Sequence, residues 1–222
     1  MKVRKYIQRI IGVLLAVSLI SSCGILDSDS GSSDKKAIGG DPTPMGAVGN
    51  TFDVPAFPGI EDREVEITAS DDGISTIRAS AKVTNETYLT MAEAVPYLEV
   101  NGDVVSVTKQ ARITSKGIQQ VYEDGKLHTV VNYDAKKGDT YKANKYGQTI
   151  TRKVMNVSNE DDFMWGFMMI KTIQIEETGR GIPGVSKIVY YANHRFGIVG
   201  FDVHFEDGSV KYAYVYSDQY NE

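Results

Sequence analysis

Three histidines are the side chains of this sequence best suited to metal binding or proton transfer: His128, His194 and His204. A catalytic zinc site commonly takes two of its ligands from positions close together in sequence, and these three lack an H-x-x-x-H spacing. His204 lies between Asp202 and Glu206 on the polar face of an expected strand. We therefore expect imidazoles in turns and on solvated faces, and we predict no metal site.

Adjacent carboxylates occur at Asp71-Asp72, Glu160-Asp161-Asp162 and Glu176-Glu177. General acid–base catalysis needs two carboxyl groups in different environments, whereas neighbours in sequence are typical of turns and solvated strand ends. The cluster at 160–162 has the oxygen ligands that calcium prefers, but a solvated loop is the interpretation we favour. The sequence also lacks a G-x-S-x-G elbow, a P-loop and a dinucleotide fingerprint. We predict a protein that is not an enzyme and has no cofactor.

The single cysteine, Cys23, follows a segment with the features of a secretory signal peptide, residues 1–22. Four basic residues precede an apolar run, residues 10–20, that is shorter than the roughly 20 residues of a membrane-spanning helix. The residues Ile20-Ser21-Ser22-Cys23 resemble the lipobox of bacterial lipoproteins. That resemblance implies cleavage before Cys23, diacylglycerol on its thiol, and acylation of the new amino terminus by a fatty acid such as palmitate. A secreted protein with a free thiol is the alternative, but it would leave a reactive cysteine in an oxidising compartment.

Cleavage before Cys23 changes the charge balance of the chain. The full sequence carries 24 basic and 29 acidic residues, a net charge of -5. Removing the signal peptide takes away four basic and no acidic residues, which leaves 20 against 29 and a net charge of -9. Nucleic acids and anionic headgroups both favour a basic surface. We therefore predict no nucleic-acid partner, and contact with the membrane through the lipid anchor at Cys23.

Residues 23–50 have the composition of a disordered tether. This segment is rich in Gly, Ser, Asp and Pro and has no apolar periodicity. Its opening, with Asp27 and Asp29 in a serine-rich stretch, resembles the acidic export signal of surface-exposed lipoproteins in the Bacteroidota. A soluble spacer is the other interpretation, so a domain facing the periplasm and one facing the cell surface are both left open.

From residue 51 onward the sequence predicts antiparallel β structure. Asp72-Gly73, Asn101-Gly102, Asp124-Gly125 and Asp207-Gly208 each separate two β-prone runs, and these dipeptides favour tight hairpin turns. One segment, from Asn85 to Val95, has helical spacing. No other helix of connecting length separates the strands, which argues against a parallel sheet. We predict one mainly β domain over residues 51–222, a half-barrel or sandwich with at most one short helix.

The most unusual stretch of the domain runs from Asn159 to Ile170. Three acidic residues lead directly into a run with seven large apolar side chains, among them the only tryptophan. A buried strand entering the core is the interpretation we favour. The alternative is a pliable ligand pocket, because methionine adapts to varied apolar shapes. The residues we predict for ligand binding are Trp165, Phe167, Met168, Met169, Tyr190 and Tyr191.

The second half of the chain resembles uncharacterised outer-membrane lipoproteins of the Bacteroidota. The residues that carry the resemblance are 151–154, Asp161–Lys171 and Lys187–Gly200. The strand–turn–strand in the last segment is also similar to curved, half-open β barrels of periplasmic lipoproteins. Neither family has a known activity, so the resemblance implies only a location in the cell envelope and a β domain of unknown function.

Three functions are compatible with this sequence. The first is a non-catalytic binding or envelope-assembly role at the outer membrane, with an envelope protein, a glycan or an apolar ligand as partner. The row Tyr212, Tyr214 and Tyr216 suits stacking on such partners, although a packed sheet face explains it as well. The second is a carrier of a lipid or another apolar ligand, and the third is a hydrolase with an unrecognised site. Arg180, Lys187 and Arg195 are candidates for holding an anion.

Overall fold

A computed structural model describes residues 37–54, 59–93, 97–122, 125–145, 148–182 and 184–220. The predicted signal peptide, the lipidation site Cys23 and the first part of the predicted tether lie outside these residues. Within them, no helix is long and apolar enough to cross a membrane.

The first sheet is built from the first half of the domain. Its strands are β2 (Ile60–Asp71), β3 (Ile74–Val83), β4 (Glu99–Asn101), β5 (Val104–Thr114), β6 (Gly117–Val121) and β7 (Leu127–Asn132). The order is β2-β3-β5-β6-β7, with the short β4 also paired to β5. All of these pairings are antiparallel. Helix α1 (Glu86–Glu93) lies between β3 and β4 in the chain.

The second sheet is built from the second half. Its strands are β8 (Thr140–Lys145), β9 (Gln148–Val157), β12 (Ile173–Thr178), β13 (Val185–Asn193), β14 (Gly197–Phe205) and β15 (Val210–Tyr214), in the order β15-β14-β13-β12-β9-β8. Two small ribbons complete the fold. One pairs β1 (Phe52–Asp53) with β16 (Tyr216–Ser217), and the other is the hairpin of β10 (Phe163–Trp165) and β11 (Met168–Ile170). Short 3-10 helices cover Pro44–Gly46 and Asp218–Tyr220.

The two open sheets share one hydrophobic core. Strict alternation places every second side chain of β3 and of β12 inward. Ile67 and Val107 of the first sheet belong to the same buried cluster as Ile175 and Phe201 of the second. The predicted fold class, a mainly β domain of antiparallel sheets with one short helix, is confirmed.

Local sequence signals account for the hairpins and the helix. Asp72 and Gly73, between β2 and β3, both have positive φ angles, 45° and 73°, as a tight two-residue hairpin turn requires. The hairpins predicted at residues 101–102 and 207–208 are also present, as β4–β5 and β14–β15. The side chain of Asn85 accepts a hydrogen bond from the Tyr88 amide, 3.2 Å away, and so caps the start of α1.

The segment from residue 37 to residue 50 packs against the domain, although the sequence suggested a disordered tether there. Met45 and Asn50 are buried. The Asn50 amide donates to the Met45 carbonyl at 2.9 Å and accepts a hydrogen bond from Ser217 at 2.7 Å. The Thr114 hydroxyl donates to the Gly39 carbonyl at 2.8 Å. Long-range hydrogen bonds and one apolar anchor thus order a Gly- and Pro-rich segment, and the compact part begins earlier than predicted.

Candidate functional site

An apolar cavity of about 120 Å³ lies between the two sheets. Each sheet contributes aliphatic side chains from its inner face, and the amino-terminal segment contributes a third wall. The apolar lining consists of Met45, Phe52, Val54, Val65, Ile77, Ala111, Ile113, Ile118, Val130, Gly197, Ile198, Phe201 and Val215. A space with this lining suits a small apolar group, because filling it removes apolar surface from water.

The amino-terminal segment closes one side of this cavity. Phe52 is held in place by the pairing of β1 with β16, where it lies opposite Ser217. Met45 lies against Gly197, at which an added Cβ would be 3.3 Å from the Met45 Cε. The side chain of Met45, in the 3-10 helix Pro44–Gly46, therefore lies against the start of β14 in the second sheet. The segment that leads toward Cys23 is thus also a wall of the cavity.

The polar part of the lining contains a cation, Lys109, together with Gln110 and Gln120. Lys109 lies on β5, and its Nζ is 5.6 Å from the centre of the Tyr97 ring. Burial lowers the pKa of Lys109, because water that would solvate the ammonium is excluded. Among the ion pairs of the described residues, none involves Lys109. An anionic group placed here would offset the cost of burying the charge.

A second group of buried charges lies on the inner face of the second sheet. The Nε of Arg152 is 2.6 Å from one oxygen of Glu177, and the Nε of Arg180 is 2.5 Å from the other. The Tyr190 hydroxyl donates to Glu177 at 3.0 Å, and Arg152 also donates to the Thr129 carbonyl of the first sheet at 2.8 Å. Two guanidinium groups against one carboxylate leave this cluster with a net positive charge.

The pKa values in this cluster follow from that arrangement. Burial on its own would raise the pKa of Glu177, but the neighbouring guanidinium groups of Arg180 and Arg152 outweigh it and hold that pKa at about 2. Burial raises the pKa of Tyr190 well above its usual range. Glu177 is therefore ionised and Tyr190 neutral near neutral pH, and both carboxylate oxygens accept hydrogen bonds. This cluster ties the two sheets together and is not arranged as a general acid or base.

Comparisons with known protein families, curated proteins and solved structures find no match to this chain.

The residues predicted for ligand binding do not line the cavity. Trp165 is buried in a separate aromatic cluster, with its Nε1 donating to the Val215 carbonyl at 2.9 Å. Phe167 is fully exposed at the tip of the β10–β11 hairpin, and Met168 and Met169 are also exposed. The expectation of one buried strand is wrong, because the chain reverses at Gly166, whose φ angle is +59°. The alternative of a pocket at this stretch is not supported either.

Tyr190 and Tyr191 point to opposite faces of β13. Tyr190 faces inward and belongs to the Arg–Glu cluster, whereas the Tyr191 hydroxyl donates to Asp202 at 2.8 Å on the outer face. The Tyr191 ring stacks on Phe163 with 4.9 Å between ring centres. The six predicted residues therefore lie in three places. Phe167, Met168 and Met169 are on the exposed hairpin, Trp165 and Tyr191 are in the aromatic cluster around Trp165, and Tyr190 is in the buried Arg–Glu cluster.

The three candidate cations of the sequence do not converge. Arg180 is committed to Glu177, and Lys187 pairs with Glu176 at 2.7 Å. Arg195 lies over the ring of Phe196, 5.2 Å from its centre. Each cation has a different local partner, and none of the three lines the cavity.

The histidines and acidic clusters divide between surface and interior. His194 is exposed and His204 is half-buried, but His128 is buried and stacks on Tyr122 at 3.9 Å. The expectation that all three histidines are solvated is therefore wrong for His128. Asp162 is exposed and accepts a hydrogen bond from Ser158 at 2.7 Å. Across the described ranges, no group of three or more His, Cys, Asp or Glu side chains is placed to hold a metal ion.

Sequence reasoning missed the cavity and Lys109, although one signal was present. The inward positions of β5 alternate as Val105, Val107, Lys109, Ala111 and Ile113. A cation in the middle of an apolar face is unusual, since lysine is rarely buried without a partner. The strand that follows the Asn101-Gly102 turn extends to Thr114, which places Lys109 on its inward face.

Proposed function

We propose that this protein is a lipid-anchored, non-catalytic binding protein of the bacterial outer membrane that holds a small amphipathic anion between its two sheets. The observation that carries the proposal is the apolar cavity with Lys109 in its lining. An apolar tail would occupy the cavity, and an acidic head group such as a carboxylate would lie at the ammonium.

The charge distribution supports an anionic head group. Lys109 is partly buried, and burial lowers its pKa, so the protein carries an electrostatic cost that an anion would reduce. A hydrogen bond between ionised partners contributes about 1.5–3 kcal/mol, more than one between neutral groups. Gln120, the cross-strand partner of Ala111, adds a second polar residue on the same inward face. A neutral ligand would leave the ammonium without this compensation.

The size of the cavity limits the ligand. Its volume, about 120 Å³, is below the roughly 300–1,000 Å³ of typical pockets for drug-sized molecules. The proposed ligand therefore has a short apolar tail, comparable to a medium-chain fatty acid, and is not a whole phospholipid. The carrier function that the sequence predicts as an alternative is thereby restricted to ligands with a short apolar tail.

The lipid anchor is part of the proposal. The lipobox at Cys23 and the resemblance to outer-membrane lipoproteins of the Bacteroidota support a signal peptide, acylation and a place in the cell envelope. Two or more acyl chains give stable attachment, because each buried methylene contributes about 0.8 kcal/mol. The binding site would then face either the periplasm or the cell surface. Asp27 and Asp29 after the anchor favour the cell surface, by their likeness to an export signal.

Equilibrium dialysis against octanoate and octanol tests the binding function. These two ligands share a tail length and differ in head-group charge. The mature protein in lipid nanodiscs should bind octanoate saturably at one site, with empty nanodiscs as the background. Lys109→Met should weaken octanoate binding by about tenfold or more, as the loss of a charged hydrogen bond implies, and should leave octanol unchanged. The exposed Lys211→Met is the matched control, and absence of saturable binding by the wild-type protein would overturn the proposal.

A further inference from the structure

The β10–β11 hairpin presents an apolar surface that the binding function does not use. Met164 is 63% exposed, Met168 and Met169 are each 47% exposed, and Phe167 at the tip is fully exposed. Single apolar side chains on a surface are ordinary, but a contiguous group of them marks a contact with a membrane or another molecule. Met164 and Met169 are cross-strand partners on the outward face of the hairpin, and Phe167 lies in the turn next to them. Met168 is the partner of Trp165 and is exposed at the edge of the opposite face.

The hairpin is held firmly to the domain, so its exposure is a property of the folded state. Trp165 points inward from β10, where its ring lies 4.5 Å from that of Phe196 and 5.4 Å from that of Tyr216. Its indole N–H donates to the Val215 carbonyl at 2.9 Å. Phe163, on the same side of the strand, stacks on Tyr191. Two aromatic side chains therefore anchor the hairpin while Met164 faces outward.

Tyrosines lie beside the base of the hairpin. The Phe163 ring is 6.1 Å from that of Tyr214, which lies 4.5 Å from Tyr212 and 6.0 Å from Tyr216. Tyr212 and Tyr214 are partly exposed. Tyrosine and tryptophan favour the boundary between water and hydrocarbon, because each combines an apolar ring with a polar group. A fully apolar tip beside amphipathic aromatic rings matches the change in polarity across a lipid interface.

Part of the amino-terminal segment lies beside the residues that hold the hairpin. Met45 lies beside Gly197 at the start of β14, and the neighbouring Phe196 packs against Trp165 of the hairpin. Residues 24–36 separate the described chain from Cys23, and even fully extended they span no more than about 45 Å. An anchor at Cys23 would therefore keep the domain within about 45 Å of the bilayer, which is near enough for the hairpin to reach it.

We propose that the β10–β11 hairpin inserts its tip into the bilayer that carries the lipid anchor. This inference rests on the lipid anchor of the proposed function, and it is separate from ligand binding in the cavity. Glu160, Asp161 and Asp162 are exposed immediately before β10, and their charge outweighs that of Lys171 after β11. The favoured surface is therefore zwitterionic, since anionic head groups would repel these carboxylates.

A fluorescent probe at the tip tests this inference in the mature protein. The sequence has one cysteine, and acylation of Cys23 would leave Phe167→Cys as the single free thiol. Because Phe167 is fully exposed, the change leaves the packing intact, and circular dichroism checks this. The labelled protein is reconstituted into phosphatidylcholine vesicles with and without doxyl-labelled lipid. The matched control is Val210→Cys, at an exposed apolar position at the opposite end of β15 from Tyr214.

The expected result is a blue-shifted emission at position 167 that doxyl lipid quenches, with a water-like, unquenched emission at position 210. Adding phosphatidylglycerol to the vesicles should reduce the blue shift. A water-like emission at position 167 in protein that floats with the vesicles overturns this inference alone. A blue shift without doxyl quenching identifies a protein contact, such as a second copy of the chain, and also overturns it. If the protein does not float with the vesicles, the lipid anchor is refuted, and the hairpin inference is refuted with it. The ligand-binding function is tested separately by equilibrium dialysis.

Discussion

Arg152 and Glu177 form an ion pair across adjacent strands of the second sheet, with 2.6 Å between Nε and Oε2 and both side chains almost completely excluded from solvent. The neighbouring residue, Glu176, is half-buried on the opposite face, where it pairs with Lys187. The pairing of β9 with β12 places Arg152 directly opposite Glu177. Two adjacent glutamates in one strand thus have an interior and a surface ion pair, which provides an internal comparison.

Replacing each glutamate by glutamine should give very different losses of stability. Glu177→Gln leaves Arg152 and Arg180 buried without their counter-charge, and breaking a buried pair in this way costs about 3–5 kcal/mol. Glu176→Gln removes a surface pair, which typically contributes about 0–1 kcal/mol. Urea denaturation of the mature protein measures both free energies of unfolding. Equal losses in the two variants would contradict the structural role of the buried cluster.

The same carboxylate makes stability depend on pH. The pKa of Glu177 is lowered from 4.5 to about 2 by the two guanidinium groups. A carboxyl group whose pKa is lowered on folding stabilises the folded state at pH values above its unfolded-state pKa. This contribution, about 3 kcal/mol, is lost as pH falls from about 4.5 toward 2. The difference in unfolding free energy between wild type and Glu177→Gln should therefore shrink in that pH range. A difference that stays constant between pH 6 and pH 3 would mean that Glu177 does not titrate as described.

Local sequence patterns predicted more of the fold than of the site. The hairpin at Asp72-Gly73 depends on the conformational preferences of two neighbouring residues, so it is readable from the sequence. Glu177 follows the inward residues Ile173 and Ile175 at a period of two, and this period predicts its burial. The expectation of a solvated strand end for the two adjacent acids is therefore wrong for Glu177. The alternation was the stronger signal, because one face of β12 is buried along its whole length.

The cavity could not be predicted, because it depends on the distance between two sheets. Its lining comes from positions as far apart in the chain as Met45 and Val215. The structure of residues 163–170 could not be predicted from the sequence either. A short apolar run is compatible with a buried strand and with a surface hairpin, and its pattern does not distinguish them. The distinction depends on whether the rest of the core has room for Phe167. Phe196 and Tyr216 enclose Trp165, and Phe167 is left outside.

Two phenylalanines should respond oppositely to truncation. Phe201 is 2% exposed in the shared core, so Phe201→Ala should cost about 3–5 kcal/mol through lost burial and the space left behind. Phe167 is fully exposed, so Phe167→Ala should change the unfolding free energy by no more than about 0.5 kcal/mol. Thermal or urea unfolding measures the free energy of unfolding of both variants. A loss of several kcal/mol for Phe167→Ala would mean that the hairpin tip is buried.

The proposed anchor predicts a change in fractionation. Cys23→Ala removes the thiol that would carry diacylglycerol, so the variant should stay unlipidated and leave the membrane fraction, with its signal peptide uncut or aberrantly cut. Ser22→Ala is the control, since it keeps a small residue before the cysteine and should behave as wild type. Fractionation in detergent-free buffer and intact-mass measurement provide the readouts. If the mass and the membrane association of Cys23→Ala match those of wild type, the cysteine is not the anchor.

Two buried alanines distinguish an empty cavity from a filled core. Ala111 lines the cavity, whereas Ala79 is fully buried in the same core and does not line the cavity. Ala111→Leu places its added carbons in empty space, so the unfolding free energy should stay the same or rise. Ala79→Leu has no such space and should cost about 1–3 kcal/mol through overpacking.

Octanoate binding should separate the same two variants. The leucine at position 111 would occupy the volume proposed for the ligand tail, so binding should be lost, whereas folded Ala79→Leu should still bind. If Ala111→Leu bound octanoate as wild type does, the ligand would have to lie elsewhere. If it were instead destabilised as strongly as Ala79→Leu, the cavity would be too small for even a few methylene groups, and an apolar tail could not enter it.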